Sequence, residues 1–79
     1  MTHETVFLAV DLGTSGMKVA LITLHGRVLG WETEAIQLHL TPDGGAEQSP
    51  EEWWQAFLSA TARLLARKLV PAGDIQAVC

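Results

Sequence analysis

Cysteine is nearly missing: Cys79 is the only one in a chain of 79 residues. No internal disulfide can form, which excludes a crosslinked extracellular scaffold and fits a reducing compartment. Basic residues are scarce too, five Lys and Arg against nine Asp and Glu, for a formal net charge of −4. They form no cluster, so a nucleic-acid partner is not expected. Long apolar runs are also absent, and none approaches the roughly 20 residues that span a bilayer. The start, Met1-Thr2-His3-Glu4-Thr5, lacks the basic residues of a signal peptide, and the apolar run at 6–10 is too short for its core. The expectation is a soluble cytoplasmic protein with neither a nucleic-acid nor a membrane partner. What the chain does have is apolar content, 48% of its residues, which argues against disorder. Its length allows one small domain, and such a domain buries only about 60% of the surface its unfolded chain exposes.

The pattern along the chain predicts the order β-β-β-α-β. Val6-Phe7-Leu8-Ala9-Val10 is continuously apolar and reads as a strand buried on both faces. Residues 17–24 form a second strand, and the six residues between them favour an antiparallel hairpin. His25-Gly26-Arg27 is the next turn, with Gly26 at the positive-φ position. A third strand runs over 28–38, where Trp31, Thr33 and Ala35 alternate with Glu32 and Glu34. That alternation predicts a covered face and a wetter one, and Gly30 marks a candidate bulge. Residues 39–48 read as a loop dense in turn formers. Ser49 then suits an N-cap, Pro50 the first helical position, and Glu52 a Ser-x-x-Glu capping box. Glu51 and Glu52 suit the positive end of the helix dipole, and Arg63, Arg67 and Lys68 its negative end. Trp53, Trp54, Phe57, Leu58, Thr61, Leu64 and Leu65 form the expected apolar face, and Pro71-Ala72-Gly73 the expected stop. Residues 74–79 begin a fourth strand, and an apolar strand with no turn after it predicts an N-terminal piece of a longer chain.

The chemistry lies in Val10-Asp11-Leu12-Gly13-Thr14-Ser15-Gly16-Met17-Lys18. An aspartate ends an apolar strand, two glycines bracket two hydroxyls, and a lysine opens the next strand. Successive amides in such a turn form a concavity for an anion, with glycine permitting positive φ and close approach. A carboxylate beside a phosphate needs a divalent cation between them, as magnesium held by carboxylates, waters and phosphate oxygens. The competing reading is an ordinary hairpin turn, since all these residues favour turns.

A β-hairpin holding Asp11-Leu12-Gly13-Thr14-Ser15-Gly16, followed by strand, helix and returning strand, resembles the first lobe of the actin-like ATPase (ribonuclease H-like) superfold. Residues 7–18 are similar to the opening of the FGGY carbohydrate kinases. Gly45-Ala46-Glu47-Gln48-Ser49-Pro50-Glu51-Glu52-Trp53-Trp54 is similar to the corresponding stretch of xylulokinases and their neighbours. The resemblance implies an α/β fold, with all 79 residues forming the N-terminal, incomplete part of the family's first domain. It further implies transfer of the γ-phosphoryl group of ATP to a sugar or polyol hydroxyl, with Mg²⁺. Carried over, Asp11 would act on the metal through water. Gly13, Thr14 and Ser15 would face the nucleotide phosphates, and Lys18 would add a point charge. The family's general base lies far downstream, so no catalytic residue is expected within the chain, and the isolated chain is expected to be inactive. The missing remainder of the kinase and its sugar are the implied partners.

Other features have plainer readings. Lys18 also fits a solvated lysine at a strand start, and Trp53 or Trp54 a core position rather than a sugar platform. Glu47 and Gln48 suit loop ordering. His3, His25 and His39 show no metal-ligand spacing, and Cys79 has no neighbouring base. Two other functional classes stay open at this point. One is a non-catalytic product that binds a partner through an unpaired sheet edge. The other is the start of an actin-like chaperone or cell-shape ATPase, against which the segment 47–54 speaks.

Overall fold

The computed structural model describes residues 5–13 and 16–79, apart from the Ala46 side chain. Strands β1 (Val6–Leu12), β2 (Gly16–Thr23) and β3 (Val28–Ala35) run antiparallel in sequence, and β6 (Ile75–Val78) returns parallel to β1, giving the sheet order β3-β2-β1-β6. A two-stranded ribbon, β4 (His39–Leu40) with β5 (Ala46–Glu47), and the helix α1 (Pro50–Ala66) lie between β3 and β6. The predicted order is therefore present, with a ribbon where a loop was expected. Its turn is closed by Gly44 N–H to Thr41 O and by the Asp43 carboxylate, which accepts from the Thr41 hydroxyl and the Gly45 N–H.

One sheet face carries the core. The register Leu8↔Leu21 and Val10↔Val19 puts these residues on that face, which Val6 and Met17 share from the rows Val6↔Thr23 and Leu12↔Met17. Val6, Leu8, Met17, Val19 and Leu21 pack with Ile36 against Ala56, Ala60 and Leu64 of α1. Burying each Val or Leu fully contributes about 1.5–3 kcal/mol relative to leaving it exposed. The helical stripe differs from the expected one. Ala56, Ala60 and Leu64, spaced four apart, meet the sheet, while Leu58 and Leu65 are exposed. Alanines at the contact let helix and sheet approach closely, and bulkier side chains flank the seam.

β3 has the two unequal faces expected of its alternation, and the glutamates take the covered one. Trp31, Thr33 and Ala35 are exposed, whereas Glu32 and Glu34 lie beneath α1. Arg63 explains this: it bonds Glu32 (3.2 Å), Glu34 (2.9 Å) and the Thr33 carbonyl (2.5 Å). Arg67 adds Glu32 (3.3 Å) and the Trp31 carbonyl (3.0 Å). The hydrogen bonds it donates to Glu32, then to Glu34, push the Arg63 pKa further up. These arginines thus clasp an edge strand as well as suiting the helix dipole.

α1 starts where expected but without the expected capping bonds, and it ends earlier than expected. Ser49 sits at the N-cap and Pro50 at the first turn, but the Ser49 side chain makes no capping hydrogen bond. Glu52 does not close a capping box with it, and its carboxylate bonds His39 Nε2 at 2.7 Å instead. At the other end the helix stops at Ala66, five residues before Pro71. The Arg67 and Lys68 N–H groups bond the Leu64 and Leu65 carbonyls, and Lys68 takes φ 53°, so the chain leaves the helix there. Leu69 then crosses Gly30: a Cβ built on Gly30 would lie 2.5 Å from Leu69 Cδ1. The β2–β3 register slips between Leu21↔Gly30 and Ile22↔Val28, so the bulge sits beside Gly30 as predicted.

Candidate functional site

The hairpin turn lies at the end of the sheet where β1 delivers Asp11 and β2 departs with Lys18. Val10↔Val19 is a core row, so the next row, Asp11↔Lys18, faces the other way, and both of its side chains are exposed. Gly13 N–H donates to Gly16 O at 2.8 Å and closes the hairpin. In this arrangement Gly13 shapes the turn with its amide already engaged. Thr14 and Ser15 lie outside the described residues. An open depression of about 240 Å³ is lined by Asp11, Gly13, Gly16, Met17, Lys18 and Thr33.

Of the two reasons expected for glycine here, close approach applies and positive φ does not. Positive φ among glycines occurs at Gly26 and Gly44 (both 87°), not at Gly13 or Gly16. Gly16 answers to close approach instead: a Cβ there would sit 3.1 Å from the Glu34 carbonyl oxygen. The small residue lets β3 pass against the base of the turn.

Trp31 joins the site by a route that sequence reading missed. Lys18 pairs with Thr33 on β3, and Trp31 is two residues further along on the same face. The Lys18 ammonium lies 5.2 Å from the centre of the Trp31 ring, within cation–π range. The alternation of β3 put Trp31 and Thr33 on one face, but only the β2–β3 register sets that face beside Lys18.

The other singled-out residues lie elsewhere. Trp53 packs against the core, whereas Trp54 is exposed and stacks on Phe57 with centroids 5.5 Å apart. These three rings line an apolar recess of about 350 Å³ with Met17, Pro50 and Val78. Glu47 is exposed on β5, Glu51 is exposed in the first turn of α1, and Cys79 is exposed. His39 is taken up by Glu52. Among the described residues no three or more His, Cys, Asp or Glu gather into a metal-binding group. Asp11 is then a single hard oxygen donor, which fits magnesium only if the remaining ligands are water and phosphate oxygens. No helix among the described residues is long and apolar enough to cross a membrane.

Comparison with known proteins agrees with the resemblance. The chain is 41% identical over 51 residues to the xylulose kinase of Escherichia coli (strain K12), covering 65% of this chain and 10% of that protein. It is 34% identical over 71 residues to the xylulose kinase of Bacillus subtilis (strain 168), covering 90% and 14% respectively. A glycerol kinase of Nitrosomonas eutropha is 28% identical over 78 residues, 99% of this chain and 16% of that protein. The chain thus spans from 10% to 16% of the length of these relatives. Residues 6–79 match the N-terminal domain of the FGGY family of carbohydrate kinases. With its mixed sheet and packed helix, the chain belongs to the FGGY family and carries part of its actin-like N-terminal lobe.

Proposed function

We propose that this chain supplies the phosphate-facing hairpin of an ATP-dependent sugar kinase, which transfers the γ-phosphoryl group of ATP to a hydroxyl of a xylulose-like acceptor. The observation that carries the proposal is the exposed Asp11↔Lys18 row beside the turn that starts at Gly13. A carboxylate and an ammonium on adjacent strands, next to a tight turn, suit a metal–phosphate group better than a bare phosphate. In this reading Asp11 holds the waters of a nucleotide-borne Mg²⁺. Gly13, Thr14 and Ser15 face the phosphates, and Lys18 contributes positive charge. Bound magnesium neutralises charge on the phosphoryl oxygens, and positioning accounts for most of the remaining acceleration. A ketopentose acceptor is supported by the several xylulose kinases among the relatives. The cytoplasm, where ATP is abundant and thiols stay reduced, is the compartment assigned.

The hairpin is one wall of a cleft, and the general base is assigned to a segment that these residues do not include. The isolated chain is therefore expected to transfer no phosphate from ATP to D-xylulose or glycerol, and measurable transfer would overturn that expectation. Phosphate binding is tested separately, by titrating the ¹⁵N-labelled chain with MgATP. Shifts should concentrate at Asp11, Gly13, Gly16 and Lys18. Asp11→Asn should weaken binding of MgATP more than binding of metal-free ATP. Shifts absent from the hairpin, or an Asp11→Asn variant indifferent to magnesium, would overturn the assignment.

A further inference from the structure

The Lys18 ammonium lies over an indole whose place on β3 is set by register. Along β3, Ala35 faces Gly16 at the turn, Thr33 faces Lys18, and Trp31 faces Ala20. Trp31 therefore stands two residues further from the turn than Lys18 itself. Trp31 is 54% exposed, with the ammonium 5.2 Å from its ring centre. Two other groups compete for that ammonium on this face. The Asp11 carboxylate is in the adjoining position on β1, and the Thr33 hydroxyl in the adjoining position on β3. Glu32 and Glu34 belong to the opposite face, where Arg63 and Arg67 hold them.

We propose that Trp31 is a positioning residue that parks Lys18: it holds the ammonium over its ring in the free chain and releases it when a phosphate group binds at the turn. The proposal rests on the hairpin reading above and adds a control on its strength. A lysine side chain carries large rotamer freedom, and a ring face beside it selects the rotamers that lean along the sheet. A phosphate beside Gly13 and Gly16 lies on the opposite side of Lys18 from Trp31 and draws the ammonium away from the ring, so the cation–π contact opposes binding. At an exposed site such a contact amounts to a factor of about two to five. Trp31 would thus lower the affinity of the turn for phosphates by that factor, without touching the ligand.

The test uses the full 79-residue chain and MgATP as the probe. In the wild type the Lys18 Cε protons should show a ring-current upfield shift, which disappears in Trp31→Leu and on saturation with MgATP. Trp31→Leu should bind MgATP about two- to fivefold more tightly. Trp31→Phe, which keeps an aromatic face, should fall between the two. In a Lys18→Gln background Trp31→Leu should change nothing, an outcome that a merely structural role for the indole does not produce. The proposal is overturned by a wild-type Lys18 without the upfield shift, by unchanged or weaker binding in Trp31→Leu, or by an equal gain in the Lys18→Gln background. A wild type that binds no MgATP at the hairpin overturns the hairpin reading, and this proposal with it. Hairpin binding that Trp31→Leu leaves unaltered overturns the parking role alone.

Discussion

Gly16 and Gly30 both exist for room, yet substitution should tell them apart. At Gly30 an added Cβ meets Leu69 Cδ1 at 2.5 Å, with Arg67 Nη1 at 3.3 Å, so side chains must move. We expect Gly30→Ala to destabilise the fold by about 1–3 kcal/mol, the usual range for overpacking, measured by urea unfolding. No loss would mean that Leu69 finds another rotamer without strain. At Gly16 the obstacle is the Glu34 carbonyl oxygen at 3.1 Å, which no rotamer change relieves. Ser49 shows the opposite case, a residue whose type promised more than its side chain delivers. Replacing an N-cap serine by alanine typically costs about 1 kcal/mol. Here the side chain makes no cap hydrogen bond, so Ser49→Ala should cost less than about 0.5 kcal/mol. A full-sized loss in the same unfolding experiment would show a capping bond in solution.

The helix and the ribbon each carry an element-scale expectation. Ala60 and Leu64 are both 0% exposed on the face of α1 against the sheet. Leu64→Ala should cost about 2–5 kcal/mol through lost burial and a cavity. Ala60→Leu should cost about 1–3 kcal/mol by forcing the helix off β2 and β3. If Ala60→Leu were neutral, α1 would not lie as close to the sheet as the alanine spacing requires. In the ribbon, the Thr41 hydroxyl and then the Gly45 N–H hold the Asp43 pKa below its ordinary value. A depressed carboxylate contributes order above the ordinary pKa and loses it as pH falls through the folded one. The Gly45 amide shift should therefore stay constant down to about pH 4 and change only on further acidification. A transition centred above that would contradict the hydrogen-bonded turn.

At the scale of the whole molecule, one face of the sheet and its β6 edge set the stability. Trp31, Leu40, Trp54 and Val78 are all more than half exposed, which is much apolar surface for so small a chain. Compared with typical domains, stable by about 5–15 kcal/mol, the 79-residue chain is expected to unfold early in urea. A sharp cooperative transition with stability inside that range would show that helix and sheet suffice by themselves. The same exposure makes the isolated chain a candidate for self-association through its edge.

The amino-acid sequence by itself determined the strands, the hairpin, the helix start and the family. Each of these rests on local pattern: short Val/Ile/Leu runs, a turn of glycines and hydroxyls, and Ser49-Pro50 before an apolar period. It also singled out the run from Val10 to Lys18, in which the hairpin sets Asp11 opposite Lys18, seven positions on. Only the tertiary structure decided which face of β3 is covered. Alternation defines two faces but says nothing of which one a helix will lie on. Arg63 and Arg67, some thirty residues downstream, draw Glu32 and Glu34 beneath α1 and leave Trp31 outside. That choice places the indole beside Lys18. The element that supports the candidate site was therefore invisible to a local reading, because its position follows from long-range ion pairing.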